Sequence, residues 1–198
     1  MSLLTYQHFC LILYFMLKYI LLGFLNYGEL SGYDLKSLME ESTSHFWHAY
    51  HSQIYTTLRK LEDEGLVISE EIEAGDAKLN RRVYTLTDEG RSALREWIGE
   101  PMREMVQVKE DLLVRVFFSG SRDPQATVDE LRAQRRLHQQ QLDLYNNLAS
   151  GHLNPLVERT PDMAREAVYW QRTLDFGRRY EQMYIGWLDD SIAEIERL

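Results

Sequence analysis

HSQIYTTLRKLEDEGLV, residues 51–67, is the stretch whose reading decides the fold. Its apolar positions Ile54, Leu58 and Leu61 recur at i, i+4 and i+7, which is one face of an α-helix. Ser52 opens that helix and Gly65 ends it. With Ile54 in the core and about 100° per residue, Ser52, Thr56, Arg59 and Asp63 fall on the far side. Gln53 and Lys60 flank that face, and Tyr55 lies toward its other edge. Any surface helix has a polar face, so what surrounds this one decides its meaning.

Downstream, Leu66–Glu73 and Arg81–Thr87 are β-rich runs on either side of a turn-like GDAKLN, which reads as a β-hairpin. Thr87-Asp88-Glu89 then starts another helix, with acidic residues in its first turn. Upstream, KYILLGFLNY (Lys18–Tyr27) predicts a short apolar helix stopped at Gly28, and Ser31 caps a second helix to about Ser44. Three helices followed by a hairpin is the order of a winged helix, whose second helix-turn-helix member enters the major groove. On that reading Ser52, Gln53 and Thr56 suit base edges, Tyr55 is a further DNA-binding candidate, and Arg59, Lys60, Lys78, Arg81 and Arg82 suit phosphate or guanine.

The motifs KYILLGFLNYGELSGYDL, HSQIYTTLRKLEDEGLV and RRVYTLTDEGRSAL, at this spacing, resemble the PadR family of bacterial transcriptional regulators. The resemblance implies that they form the first helices, the recognition helix, and the second wing strand with the helix after it. It is closest to the longer branch with an AphA-like helical C-terminal domain, which EDLLVRVFFSG and the terminal helix fit. It implies a cytoplasmic, dimeric, sequence-specific binder of operator DNA, with repression the expected direction and a small aromatic ligand as a potential effector. The wing tip offers Lys78 only, flanked by Arg81 and Arg82.

The second half predicts helices only. VKEDLLVRVFFSG stops at Gly120, Asp123-Pro124 starts a long helix to about Ser150, GHLNP is a break, and a last helix begins at Pro161. In it Met163, Ala167, Trp170, Leu174 and Gly177 are spaced 4-3-4-3, and Tyr184, Trp187 or Leu188, and Ile195 resume the stripe. Such a seam packs on another helix, within the chain or across a homodimer. Aromatic residues interleave with arginines there. Trp170, Arg172 and Tyr180, with Trp47 ahead of the recognition helix, are the expected effector lining, although aromatic side chains at helical spacing also serve plain packing.

The fold class that results is mostly α with a small β-hairpin, an N-terminal winged helix-turn-helix plus a C-terminal antiparallel helical dimerisation domain. The expected divisions are an apolar extension at 1–17, a winged-helix domain at 18–100 and a helical domain at 101–198. The extension MSLLTYQHFCLILYF lacks a basic residue before its apolar run, unlike a signal peptide. Lys18 interrupts the span from Phe9 to Leu25, so the extension reads as an arm packing on the domain or a dimer mate rather than a membrane anchor.

Charge opposes the DNA reading. The 198 residues carry a net charge of -9, and residues 16–90 hold seven Lys/Arg against thirteen Asp/Glu. DNA binding therefore needs the cations gathered on one face, and the alternative is a winged-helix protein-interaction module that docks a partner without DNA. A single cysteine, Cys10, excludes an intrachain disulfide. His45, His48 and His51 spread too widely on a helix for a metal site, and no nucleophile–base pair or phosphate loop is present. No enzyme activity, metal or cofactor is expected.

Overall fold

The computed structural model describes residues 3–43, 46–47, 49–72, 81–105, 109–150 and 163–198. The chain divides into two compact units, Met1–Arg103 and Glu104–Leu198.

The first unit runs α1 (Leu3–Leu25), β1 (Leu30–Ser31), α2 (Gly32–Ser42), α3 (His51–Asp63), β2 (Val67–Ile72), β3 (Arg81–Leu86) and α4 (Asp88–Gly99). Two expectations change. The first helix begins at Leu3 instead of Lys18, because neither glycine nor proline breaks the chain between them. The apolar N-terminal stretch is thus continuous with α1. Among the described residues no helix is long and apolar enough to cross a membrane. The hairpin also gains a third strand. The sheet order is β1-β3-β2, all antiparallel, with Leu30 opposite Tyr84 and Ser31 opposite Val83. A strand of two residues has no alternation to detect, so sequence periodicity could not reveal it.

The core of this unit is aliphatic. Leu21 and Leu22 of α1, Leu35 of α2, and Ile54, Leu58 and Leu61 of α3 are all essentially inaccessible. Two of its helices start on side-chain caps. Ser31 and Asp34 form a reciprocal capping box at α2, and the Thr87 hydroxyl accepts the Gly90 N–H at 3.0 Å at α4. The end of α3 is a Schellman turn. Leu66 N–H reaches the Leu61 carbonyl at 2.9 Å and Gly65 N–H the Glu62 carbonyl at 3.0 Å, with Gly65 at φ +71°.

The second unit runs α5 (Asp111–Phe117), a 3-10 turn (Ser119–Ser121), α6 (Pro124–Ser150) and α7 (Ala164–Ile195). The helix expected to run to Gly120 ends at Phe117, and Gly120 lies in the tighter turn. Leu112, Val128, Leu131, Tyr184, Leu188 and Ile192 form its core. The stripe on the last helix is therefore covered within the chain from Tyr184 onward, where α7 packs on α6. At the same seam the buried Glu181 carboxylate meets His138 Nδ1 at 2.5 Å, and the His138 ring stacks on Tyr184 at 3.9 Å. A second apolar set on this unit faces solvent. Tyr169, Phe176 and Met183 on α7 recur every seven residues, and Leu137 and Leu144 repeat that interval on α6.

Gly90 gives the fold its sharpest test. A Cβ there would lie 2.1 Å from the Leu66 carbonyl oxygen, which is backbone and cannot step aside. Gly90→Ala should destabilise the protein by about 1–3 kcal/mol or more. Gly23→Ala, whose Cβ would meet nothing within 4 Å, should stabilise it by about 0.5–1 kcal/mol through helix propensity. Urea unfolding of the two variants beside the parent checks both signs.

Candidate nucleic-acid interface

The recognition helix expected from the sequence is α3, and its two faces are sharply different. Ile54, Thr57, Leu58 and Leu61 are buried at i, i+3, i+4 and i+7, so the inner face docks on the core. Ser52, Tyr55, Thr56, Arg59, Lys60 and Asp63 are exposed, and Gln53 is half-buried.

Several of these side chains already have local work. Gln53 Oε1 accepts the Tyr50 N–H at 2.8 Å, so it closes the first turn of the helix. The Thr56 hydroxyl donates to the Ser52 carbonyl at 2.8 Å, which fixes its rotamer and leaves its methyl and lone pairs outward. The Tyr55 ring lies against Gly32 so closely that a Cβ there would sit 2.6 Å from it. Gly32 at the start of α2 thus leaves the space that the far end of the Tyr55 ring occupies. The His51 ring lies 4.7 Å from that of Tyr55. His45 and His48 lie outside the described residues, as does Lys78.

Lys60 Nζ sits 4.3 Å above the Tyr14 ring of α1. Glu64, at the C-cap of α3, receives the Tyr14 hydroxyl at 2.6 Å and Lys18 Nζ at 2.5 Å. Burial pushes the Tyr14 phenol's pKa up, and the Glu64 carboxylate pushes it further. For Glu64 itself burial acts upward, but hydrogen bonds from Lys18 and Tyr14 outweigh it and hold the carboxyl below its usual range.

Both wing arginines contact carboxylates. Arg81 pairs with Asp34, whose Oδ2 also accepts the Ser31 N–H at 2.9 Å and the Ser31 hydroxyl at 2.8 Å. Arg82 donates from Nε to Ser69 Oγ at 2.7 Å and from a terminal nitrogen to Glu62 Oε2 at 2.6 Å. The Ser69 hydroxyl in turn donates to Glu62 Oε1 at 2.6 Å. These hydrogen bonds, first that from Ser69, hold Glu62 below the usual carboxylate range. Sequence reasoning missed Tyr14, Asp34, Glu62, Ser69 and Tyr84 as parts of this region. Only the pairing of the hairpin and the packing of α1 bring them there, and neither register nor packing is written in local spacing.

An exposed polar helix beside a short antiparallel sheet, on a helix-turn-helix frame, defines a winged-helix protein. The comparisons with known proteins place it more closely. Residues 21–96 match the transcriptional regulator PadR-like family, and residues 108–196 match the virulence activator alpha C-term family. The negative transcriptional regulator PadR of Bacillus subtilis is 35% identical over 187 residues, covering 91% of this chain and 98% of that protein. The chain belongs to the PadR-like family of transcriptional regulators. The crystal structure of B. subtilis PadR in complex with operator DNA superposes at a TM-score of 0.77, with 32% identity over 91% of this chain and 99% of that one. The same protein with p-coumaric acid gives 0.69, with 31% identity over 91% and 94%. The Vibrio cholerae virulence activator AphA gives 0.73, with 25% identity over 91% and 98%.

The Asp34 cluster makes a pH prediction. Burial raises this carboxyl's pKa, but the Ser31 N–H, the Ser31 hydroxyl and Arg81 together lower it below its usual 3.8. The stability it contributes is complete above the ordinary aspartate range and is lost as pH falls through the lowered value. Asp34→Asn should therefore be less stable than the parent at neutral pH, with the gap closing toward acid. Urea midpoints from about pH 7 to about pH 2.5 test this, and a gap that stays constant refutes it.

Proposed function

We propose that this chain is a dimeric repressor that reads operator DNA with α3 and is released by a small aromatic acid. The observation that carries the DNA reading is the exposed Ser52–Thr56–Arg59 face of α3, set beside the wing on a winged-helix frame. Support comes from B. subtilis PadR, which has been solved both with operator DNA and with p-coumaric acid. Base edges would be met by Ser52 and Thr56, near the start of α3, and by the edge of Tyr55. Arg59 and Lys60, further along, suit phosphate, with Lys78 and the wing arginines as further cations. Such a regulator works in the cytoplasm.

Dimerisation fits the second unit, because its outward apolar residues need a cover. Tyr169, Phe176 and Met183 are each more than half exposed, and a seven-residue interval is what a helix–helix seam presents. These residues are distinct from the 4-3 stripe of Met163 to Gly177, which also suggested a helix–helix seam. The aromatic effector would be met by the residues named from the sequence. Trp47 borders a shallow cleft with Lys36, Met39 and Ile54 in the first unit. Trp170 and Arg172 lie on the N-terminal half of α7, and Tyr180 packs against the core of the second unit.

The competing reading, a protein-docking module that uses acidic surface, predicts no DNA affinity at any salt. A gel-shift titration of the protein on its own upstream region separates the two. Thr56→Glu and Arg59→Glu should weaken specific binding at unchanged thermal stability, because both side chains are exposed. Replacing Arg59 should also reduce the slope of log affinity against log salt by about 0.9. Phe176→Glu should shift the protein toward monomer in sedimentation and weaken DNA binding with it, since two linked half-sites then become one. Saturable quenching of tryptophan fluorescence by p-coumaric acid, with loss of the DNA complex, tests the effector. A parent that binds no duplex sinks the reading.

A further inference from the structure

Arg82 has so far stood among the cations that a phosphate could claim. Its surroundings say otherwise. Three elements converge on its guanidinium, with Glu62 from the last turn of α3, Ser69 from β2 and Arg82 itself from β3. The three side chains close a ring. Arg82 donates to both of the others, and Ser69 donates to the second oxygen of Glu62. The strand register explains how they meet. Tyr84 is opposite Ser69 and Arg82 is opposite Glu71, so Arg82 and Ser69 are diagonal neighbours on one face of the sheet. That face is the inner one, because Tyr84 shares it and is buried. The guanidinium lies 5.7 Å from the Tyr84 ring centroid, so its stem follows the core side of the hairpin.

Resting on the DNA reading above, we infer that Arg82 is a positioning residue that fixes the wing to the end of α3, and that it does not contact phosphate. A guanidinium has five N–H donors in a rigid planar fork. Held on two sides by a carboxylate and a hydroxyl, that fork sets the angle between β3 and the recognition helix. Glu62 then has a positive role. It is a structural anchor for the wing and not merely a charge that repels DNA.

The two roles for Arg82 predict opposite signs for Glu62. If Arg82 were a phosphate contact restrained by Glu62, neutralising Glu62 would free it and tighten binding. If Arg82 positions the wing, neutralising Glu62 loosens the wing and weakens binding. The experiment uses the full-length protein and a duplex that the parent enriches from a random-sequence pool. Affinity is measured from low to high salt for Arg82→Gln, Glu62→Gln, Ser69→Ala, Arg59→Gln and Asp63→Asn. The last removes a neighbouring exposed carboxylate outside the ring and so calibrates the plain effect of charge.

Glu62→Gln should bind about tenfold more weakly than Asp63→Asn, and Ser69→Ala should weaken binding with no change of charge. Arg82→Gln should lose affinity with an unchanged salt slope, whereas Arg59→Gln should lose about 0.9 of slope. The double variant of Glu62 and Arg82 should be no worse than either single one, and Arg82→Lys should restore little, because an ammonium cannot serve both partners in one plane. The inference is overturned by an Arg82→Gln slope reduced like that of Arg59→Gln. It is equally overturned if Glu62→Gln binds at least as tightly as Asp63→Asn. Should Arg82→Gln fail to fold, Ser69→Ala against Asp63→Asn decides alone. A parent that enriches no duplex refutes the DNA reading instead. The ring is then judged by amide exchange in β2 and β3, which Ser69→Ala must accelerate if the ring holds the wing.

Discussion

The junction between Gly65-Leu66 and Thr87-Gly90 is the constraint on which the winged-helix unit depends. The Leu66 carbonyl accepts the Thr87 N–H at 3.1 Å, and the Gly65 carbonyl accepts the Thr87 hydroxyl at 2.9 Å. Thr87 also caps α4, while Gly90 allows the first turn of α4 to press onto Leu66. One short contact therefore ends α3, closes the base of the hairpin and starts α4. The Schellman turn delivers the chain into β2 at a fixed angle, so the wing's direction follows from how α3 stops. Filling that contact with a methyl group would displace three elements together.

Acidic residues look unsuited to a unit proposed to bind DNA, and the structure shows what three of them do. Asp34 caps α2 and holds Arg81, Glu62 joins α3 to both wing strands, and Glu64 gathers Tyr14 and Lys18 of α1. These carboxylates are architecture. Their charge is largely met by partners a few ångströms away, so the formal sum overstates the negative field beyond the surface. The same pairing reduces how many cations remain for a nucleic acid. Arg59, exposed at mid-helix on the outer face, gains weight accordingly.

Much of this was legible in the sequence, for identifiable reasons. The inner face of α3 declares itself through Ile54, Leu58 and Leu61, and burial follows that spacing closely. Ser31, Thr87 and Gly65 mark helix ends because their side chains, or the lack of one, answer a local need of the backbone. What was not legible depends on residues distant in the chain. Strand β1 is too short to carry a pattern, and the partners of Arg81 and Arg82 are set by sheet register. The last helix shows the same limit. Its apolar spacing announced a seam, but only packing shows that α6 fills the seam from Tyr184 onward and that Tyr169, Phe176 and Met183 face outward.

Ser31 belongs to two elements at once, as the second residue of β1 and the cap of α2. Its partner Asp34 is tied to Arg81, 47 residues further along the chain. The start of α2 is therefore tied to β3 by a long-range contact as well as by its own local cap. In kinetic terms the Asp34–Arg81 pair closes a long loop, and loop closure of that kind slows folding. A half-formed wing would leave Arg81 without its carboxylate, while the local Ser31–Asp34 cap of α2 could still form. The same linkage that delays assembly keeps partly assembled forms scarce, and those are the forms whose open strand edges invite aggregation.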